Sequence, residues 1–334
     1  MTNTTTAPVF EVRDLSVDAV RGSAHTPVLD RVSFDIAQGE VLGLVGESGS
    51  GKTVTSLAAM RLLPRGLRVR GGEVLLDGTD LLRLSPAELR SQRGARISMI
   101  FQDAMRCLNP AYTIGDQIAE PLRLHRKMSR KDSRKRAIEL LEMVEIPRAA
   151  DRISAYPHEL SGGMCQRVMI ATALACSPRV LIADEPTTAL DVTVQKQVLK
   201  LLANLQAEMG LAVLLITHDL GVVSEICHRT AVMYAGEIVE QASTRDIFLA
   251  PAHPYTDGLI SSLPSTDADN RRFGYIRGAV PRVGNWPPGC HFADRCDHVV
   301  TGRCTNGPIP IEMLGDRTVR CARTGELALE GVKR

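Results

Sequence analysis

The chain has 334 residues, of which 44% are hydrophobic and 23% are charged. This length predicts one large domain with an appendage, and the apolar content is ample for a packed core. A formal net charge of +2, from 40 basic and 38 acidic side chains, indicates no broad positive surface for nucleic acid. The apolar runs are far shorter than the roughly 20 residues that span a bilayer, and residues 1–6 do not resemble a signal peptide. Any membrane role therefore requires a partner.

A strand, a glycine-rich turn and a helix are predicted in succession from residue 41. Residues 41–45 are typical of a buried strand, and residues 52–63 of a helix that Pro64 ends. The turn matches the P-loop pattern with Gly46, Glu47, Ser48, Gly49, Ser50, Gly51, Lys52 and Thr53. Glycines let backbone N–H groups close around phosphates. We expect Lys52 to reach the β and γ phosphates of a nucleotide and Thr53 to ligate Mg²⁺.

Three further apolar runs predict buried strands, and helical patterns separate them. They cover residues 97–101, 180–183 and 212–217. This alternation predicts an α/β fold with a parallel sheet. Residues 103–175, between the first two runs, indicate an inserted helical lobe. Its basic run could suggest nucleic acid, but we interpret it as a solvated helix face: Arg130, Lys131, Arg134, Lys135 and Arg136.

Two acidic residues end the second of these strands. Asp184 suits the Mg²⁺-binding acid of P-loop enzymes. Glu185, directly after it, is assigned as the general base that orients and polarises the attacking water; the alternative is an acid that caps a helix. A helix is predicted over residues 192–209, where Gly210 stops it. His218, after the third strand, could donate a hydrogen bond to the γ phosphate, although a lone histidine there is more often structural.

After about residue 260 the sequence becomes rich in proline, glycine and cysteine, and we place a domain boundary there. Because no export signal is indicated, metal binding is favoured over disulfides for Cys290, Cys296, Cys304 and Cys321. Their spacing is not that of a common zinc ribbon. Four thiolates could hold a [4Fe–4S] cluster; zinc, with His291 or His298 entering, and reduced cysteines without metal remain open.

Residues 9–260 resemble the ATP-binding cassette (ABC) ATPases. The matching motifs occur in the family's order: Walker A Gly46 to Thr53, the Q-loop Gln102, the signature Leu160 to Met164, Walker B ending at Asp184-Glu185, the D-loop Ala189-Leu190-Asp191 and the switch His218. Within that family the chain is similar to the ATPase subunits of dipeptide and oligopeptide permeases. The narrower resemblance lies in Phe101 to Met105, His253-Pro254-Tyr255-Thr256 and the cysteine tail.

The resemblance implies a P-loop ABC nucleotide-binding domain over residues 1–260, with a RecA-like α/β core, an antiparallel β edge and the helical subdomain. Residues 261–334 would form a small cysteine-containing extension. The signature residues Ser161, Gly162 and Gly163 would contact the γ phosphate of ATP held by an opposite subunit, and Asp191 would bridge the two subunits. Gln102 would sense Mg²⁺ and the attacking water.

The resemblance also implies an ATPase that powers import of dipeptides or oligopeptides at the cytoplasmic face of the membrane. Its partners would be a second ATPase subunit in a heterodimer, two transmembrane permease subunits and an extracytoplasmic substrate-binding protein. In these permease ATPases such a tail is associated with a [4Fe–4S] cluster, which we therefore favour over zinc. The alternatives are the same motor for nickel, glutathione or another small solute, or a soluble cassette protein that acts on nucleic acid or the ribosome.

Three positions depart from the family's usual residues. Met164 replaces a frequent glutamine, which we do not expect to abolish ATP binding. Ala19 stands where an aromatic residue usually stacks on adenine, a loss of roughly 1–2 kcal/mol in adenine recognition. Ala104 and the pair Arg106-Cys107 alter the segment expected to contact the membrane subunit.

Overall fold

The computed structural model describes residues 7–188, 190–263 and 275–332. Residues 1–6, on which the absence of a signal peptide was predicted, lie outside these ranges. The strands are β1 (Phe10–Arg21), β2 (Ala24–Ile36), β3 (Val41–Val45), β4 (Leu67–Leu76), β5 (Thr79–Asp80), β6 (Ile97–Ile100), β7 (Val180–Asp184), β8 (Ala212–Ile216), β9 (Arg229–Tyr234), β10 (Glu237–Ser243), β11 (Glu312–Leu314) and β12 (Arg317–Val319).

The helices alternate with these strands, as the apolar patterns predict. They are α1 (Lys52–Ala59), α2 (Pro86–Gln92), α3 (Ala104–Cys107), α4 (Ile114–Arg126), α5 (Arg130–Met143), α6 (Ala149–Arg152), α7 (Gly162–Leu174), α8 (Val192–Met209), α9 (Leu220–Ile226), α10 (Thr244–Leu249) and α11 (Pro254–Ser261). Among the helices in the described ranges, none is both long and apolar enough to cross a membrane.

Two compact units are built from interleaved segments of the chain. The first contains residues up to Phe10, Ile36–Glu40 and Leu76–Ile216; the second contains Glu11–Asp35, Val41–Leu75 and the residues from Thr217 onward. Residues on both sides of position 260 belong to the second unit. The domain boundary predicted at that position stays a prediction.

The first unit contains a parallel sheet and most of the helices. Strands β6, β7 and β8 pair in parallel, with Ile97 opposite Val180 and Leu181 opposite Val213. Strands β7 and β8 are buried along their whole length, which explains their continuous apolar sequences. Helices α3 to α7 lie between β6 and β7 in the chain, and α4 packs against α5 and α7. The helical lobe was predicted in this interval; its status as a separate subdomain stays a prediction.

The second unit contains strands with mixed pairing and strands of a separate four-stranded sheet. Strand β3 pairs in parallel with β9, and β9 continues antiparallel to β10, β10 to β12 and β12 to β11. Strand β1 lies between β2 and β4 in the other sheet. The predicted α/β class is therefore confirmed, with antiparallel strands that the apolar runs alone did not indicate.

Helix ends show where local sequence was sufficient and where it was not. Helix α8 has the predicted bounds, and Gly210 closes it with φ 60°. Helix α1 ends at Ala59, earlier than the predicted residue 63. Its closure is a Schellman motif, in which the amide of Leu62 donates to Leu57 O and that of Arg61 to Ala58 O. Arg61 takes the left-handed position, with φ 49°, that glycine usually occupies.

Candidate functional site

The predicted phosphate loop connects β3 to α1, and three of its glycines have left-handed backbone angles. The φ angle is 153° at Gly46, 82° at Gly49 and 112° at Gly51. A Cβ atom at Gly46 would lie 2.1 Å from the carbonyl oxygen of Met233, and one at Gly51 would lie 2.7 Å from Leu29 Cδ2. These close approaches require glycine and keep the loop narrow, which fits a backbone cradle for phosphate.

Lys52 is the first residue of α1 and lies against the loop. Its Nζ donates to Gly46 O at 2.7 Å and to Glu47 O at 3.0 Å, and the side chain is buried. The ammonium group is thereby fixed inside the concave side of the loop. Thr53 follows as an exposed residue in the first turn of the helix. Cation, hydroxyl and loop thus have the arrangement that a nucleotide phosphate with Mg²⁺ requires.

The remaining loop residues have different environments. Ser48 is exposed, whereas Ser50 is buried and its carbonyl accepts a hydrogen bond from the amide of Gly236 at 2.8 Å. Glu47 is ion-paired with Arg295, 2.7 Å from Nη1 to Oε2. Arg295 was not among the site residues predicted from the sequence. A carboxylate within a phosphate-binding loop signals that a compensating cation is needed, but the linear sequence does not say which one.

The side chains of Gln102, Glu185 and Thr188 meet at the carboxyl end of the parallel sheet in the first unit. Asp184 is the buried last residue of β7, and the amide of Glu185 donates to Ile216 O at 2.9 Å. The Oε2 atom of Glu185 accepts from Gln102 Nε2 at 2.7 Å and from Thr188 Oγ1 at 2.8 Å. The structure therefore brings the predicted Gln102 and Glu185 into direct contact, with Thr188 as a partner that sequence did not indicate.

Glu185 has a backbone conformation that is uncommon for a residue with a side chain. Its φ is 46°, in the left-handed region. Such strain costs on the order of 1 kcal/mol and persists where the surroundings fix it. Here the backbone hydrogen bond to β8 and the two hydrogen bonds to the carboxylate provide that support. The predicted alternative, a helix-capping acid, has no counterpart, because α8 begins later and is capped by Asp191.

The signature segment forms the N-terminus of α7. Ser161 is the N-cap, and its Oγ accepts from the amide of Met164 at 3.4 Å. Ser161 and Gly162 are exposed. A Cβ atom at Gly163 would lie 2.6 Å from Val194 Cγ1, so this glycine lets α7 pack closely on the start of α8. A 13-residue helix thus presents its N-terminal amides at the surface, where an anion is favoured.

The D-loop leads into α8. Asp191 is exposed, and its Oδ1 accepts from the amides of Thr193 and Val194 at 3.1 and 3.0 Å. Ala189, quoted in that motif, lies outside the described residues. The N-cap explains why α8 begins at residue 192; the bridging role of Asp191 stays a prediction.

His218 is exposed and lies in the second unit with the phosphate loop. It stands between two fixed residues: the amide of Thr217 donates to Leu44 O at 3.3 Å, and the amide of Asp219 to Thr217 Oγ1 at 3.0 Å. Asp219 then caps α9. The imidazole is therefore mounted on a short, well-anchored connection at a strand end.

The expectation of an iron–sulfur cluster is wrong on the geometry. One cavity is lined in part by all four tail cysteines: Cys290, Cys296, Cys304 and Cys321. Within the described ranges, however, no group of three or more His, Cys, Asp or Glu side chains could hold a metal ion, so a zinc site has no support either. Burial raises the pKa of Cys290 to about 12 and that of Cys296 to about 11. The thiolate is the form of cysteine that binds metal, whereas a protonated thiol packs as a small apolar group.

Comparison with known proteins bears on both parts of the chain. The family profile described as ABC transporter matches residues 29–188, and the one described as Oligopeptide/dipeptide transporter, C-terminal region, matches residues 239–304. The oligopeptide transport ATP-binding protein AppD of Bacillus subtilis (strain 168) is 48% identical over 314 residues, which are 94% of this chain and 96% of AppD. The dipeptide transport ATP-binding protein DppD of Escherichia coli (strain K12) gives the same identity and coverage, 48% over 94% and 96%.

Solved structures show the same fold. The dimeric ATP-binding cassette MJ0796 in a post-hydrolysis state, bound to ADP and Pi, has a TM-score of 0.63 and 31% identity, over 71% of this chain and 99% of that chain. The cassette cbiO1 of Clostridium perfringens, part of the ABC transporter complex cbiONQ, has a TM-score of 0.61 and 27% identity, over 72% and 90%.

Proposed function

Because the chain belongs to the ABC transporter ATPases, in the branch of oligopeptide and dipeptide transport ATP-binding proteins, we propose that it hydrolyses ATP to power a peptide importer. The observation that carries the proposal is the Glu185 carboxylate, held by Gln102 and Thr188 at a buried strand end directly after Asp184. The same chain also contains a complete phosphate loop. A degenerate, non-hydrolysing subunit would have no need of this arrangement.

The roles of the site residues follow from their chemistry. The loop amides and Lys52 bind the phosphates of ATP, and Thr53, Gln102 and Asp184 are the residues that would hold Mg²⁺. A bound Mg²⁺ would neutralise charge that develops on the phosphate oxygens. Glu185 orients the attacking water and accepts its proton, since its carboxylate is fixed in place before substrate arrives. His218 donates a hydrogen bond to the γ phosphate from its anchored connection.

The exposed signature serves a second nucleotide site. Ser161 and Gly162 are exposed at a helix N-terminus, where they and Gly163 bind the γ phosphate of ATP held mainly by an opposite cassette. Asp191 lies at the interface of the two cassettes. The proposal is supported by the dimeric structure of the cassette MJ0796 bound to ADP and Pi. ATP binding closes the pair, and hydrolysis followed by release reopens it.

The remaining assembly follows from the relatives named for peptide transport. We infer a heterodimer of two cassette ATPases, two transmembrane permease subunits and an extracytoplasmic substrate-binding protein, with this chain peripheral on the cytoplasmic face. Residues 261–334 are a small extension of the domain formed by residues 1–260. Dipeptides and oligopeptides are the substrate class, as in the names of AppD and DppD.

Affinity isolation of the tagged chain from detergent-solubilised native membranes tests this assembly. The expected result is copurification of a second cassette chain, two integral membrane proteins and, when peptide is present, a binding protein. A chain carrying the same tag but a disrupted loop, Lys52→Ala, should still copurify with them, because it lacks ATP binding and not the permease contact. Recovery of the chain alone, or with ribosomes or nucleic acid, would contradict the proposal.

A further inference from the structure

The side chain of Arg295, in the cysteine-bearing C-terminal segment, reaches the phosphate loop. Its Nη1 donates to Glu47 Oε2 at 2.7 Å, and its Nη2 donates to Glu47 Oε1 at 3.0 Å. The side chain of Arg295 is 6% exposed and that of Glu47 is 31% exposed. This is a bidentate, largely desolvated arginine–carboxylate pair, the geometry in which such pairs are strongest.

Arg295 is held independently of Glu47. Its Nε donates to Arg277 O at 2.6 Å, and Nη1 also donates to the Tyr234 hydroxyl at 3.3 Å. The guanidinium carbon lies 5.6 Å from the ring centroid of Tyr234 and 5.9 Å from that of Phe292. Burial alone would lower the pKa of Arg295, but hydrogen bonds to Glu47 and Tyr234 raise it above its usual range. The cation is therefore rigidly placed before it meets the loop.

The backbone of Glu47 is held by the same cluster of side chains. Its amide donates to the hydroxyl of Tyr255 at 2.9 Å. The Tyr255 ring lies 4.6 Å from that of Tyr234 and 5.3 Å from that of Phe292, between centroids. Tyr234, Tyr255, Phe292 and Arg295 thus form what we call the loop clamp. It fixes both the main chain and the side chain of one residue in the phosphate loop.

The charge of Glu47 explains why a clamp is needed. Its carboxylate belongs to a loop whose proposed ligand is polyanionic, and its carbonyl accepts from Lys52 Nζ at 3.0 Å. Without a counter-ion the carboxylate would repel phosphate and compete for Lys52, and in a partly desolvated site this repulsion is poorly screened. The two donors of Arg295 neutralise the carboxylate and hold both of its oxygens.

We propose that Arg295 is a positioning residue for ATP binding, through which the C-terminal segment sets the nucleotide affinity of the phosphate loop. The inference rests on the proposed function, since it presupposes that the loop binds ATP. It assigns the segment a role that needs no metal: the segment carries the cation that pairs with the Glu47 carboxylate. Its aromatic residue Phe292 and the short helical turn Ala293–Arg295 place that cation.

A double-mutant cycle on the full chain tests the proposal with Mg·ADP as the probe, measured by titration calorimetry to avoid turnover. Arg295→Met should weaken binding by about tenfold or more, because it leaves a partly buried carboxylate unpaired in the loop. In the Glu47→Gln background the same Arg295→Met change should weaken binding several-fold less, because no charge remains to be neutralised. The matched control is Arg303→Met. Arg303 lies in the same segment but forms an exposed ion pair with Glu326 and should alter affinity by less than about twofold.

Equal affinity of Arg295→Met and wild type would overturn the inference. So would an equal loss in both backgrounds, because that result would indicate a purely structural effect. If Arg295→Met yields no folded protein, Glu47→Asp and Glu47→Gln carry the test. The shorter aspartate keeps the charge but does not reach the guanidinium, so it should bind several-fold more weakly than Gln; equal binding would overturn the inference. A wild-type chain that binds no Mg·ADP would contradict the proposed function itself.

Discussion

Replacement of Glu185 by glutamine tests whether this carboxylate activates the attacking water. Glutamine has the same length and one acceptor oxygen, so the hydrogen bonds from Gln102 and Thr188 can persist while the charge is lost. A positioned general base typically contributes 10²- to 10⁴-fold, which is about 3–5 kcal/mol of barrier. We therefore expect single-turnover hydrolysis of Mg·ATP to slow by roughly that factor, with the dissociation constant for Mg·ATP nearly unchanged.

The assay combines quenched-flow hydrolysis with size-exclusion chromatography in Mg·ATP. Because the substituted chain binds ATP without consuming it, it should accumulate as a closed dimer. Thr188→Val is the matched control, since it removes one hydrogen bond to the same oxygen but leaves the carboxylate; a loss of about tenfold or less is expected. Hydrolysis within about threefold of wild type in Glu185→Gln would refute the assignment. Equal losses of binding and hydrolysis would point to a folding defect.

Three further predictions follow from local geometry. Gly46→Ala should abolish nucleotide binding, measured by calorimetry, because its Cβ would lie 2.1 Å from a backbone carbonyl, whereas Gly49→Ala meets no atom within 4 Å and should lose much less. Burial lowers the pKa of His253 to about 3. Below pH 6.5 the imidazole is therefore protonated in the unfolded state but stays neutral in the folded state. The unfolding free energy should fall by about 1 kcal/mol between pH 7.5 and 5.5, measured by denaturant titration, and His253→Asn, which keeps the N-cap acceptor, should remove that loss. Finally, mass spectrometry after brief alkylation at pH 8 should find Cys107, which is exposed, modified on the order of tenfold or more faster than buried Cys227, whose pKa burial raises to about 12; equal rates would contradict the described burial.

Local sequence predicted those elements in which periodicity and a terminating residue agree. Helix α8 is an example, because Asp191 and Gly210 mark its two ends. Helix α1 is a counterexample, because Arg61 adopts a left-handed conformation that nothing in its sequence announces. The hydrogen bonds that close the turn are local, from the amides of Arg61 and Leu62 to Ala58 O and Leu57 O, but they form here without the glycine that usually marks such an end.

The candidate site divides in the same way. Motif spacing predicted the phosphate loop and the Asp184-Glu185 pair, since both combine a buried strand with polar residues at its end. The contact between Gln102 and Glu185 joins residues 83 apart in sequence, and family resemblance alone suggested Gln102 as a site residue. The pairing of Arg295 with Glu47 spans 248 residues and was not predicted.

The tail shows the limit of composition as a guide. Four clustered cysteines suggested a metal centre, and the structure does place them around one cavity. Ligation, however, requires side chains in a coordinating arrangement and thiols that ionise readily. No coordinating arrangement is found among the described residues, and burial raises the pKa of the Cys290 thiol. Both properties depend on packing that cysteine spacing does not encode.

The central claim, that this chain hydrolyses ATP to power peptide import, is tested most directly by ATP turnover in the isolated membrane assembly. The copurified complex would be reconstituted in lipid vesicles, and phosphate release and peptide accumulation would be followed together. We predict that peptide-loaded binding protein stimulates turnover several-fold, that labelled dipeptide accumulates, and that both effects disappear in an assembly carrying Glu185→Gln. Turnover that ignores peptide and persists in that variant would contradict the account.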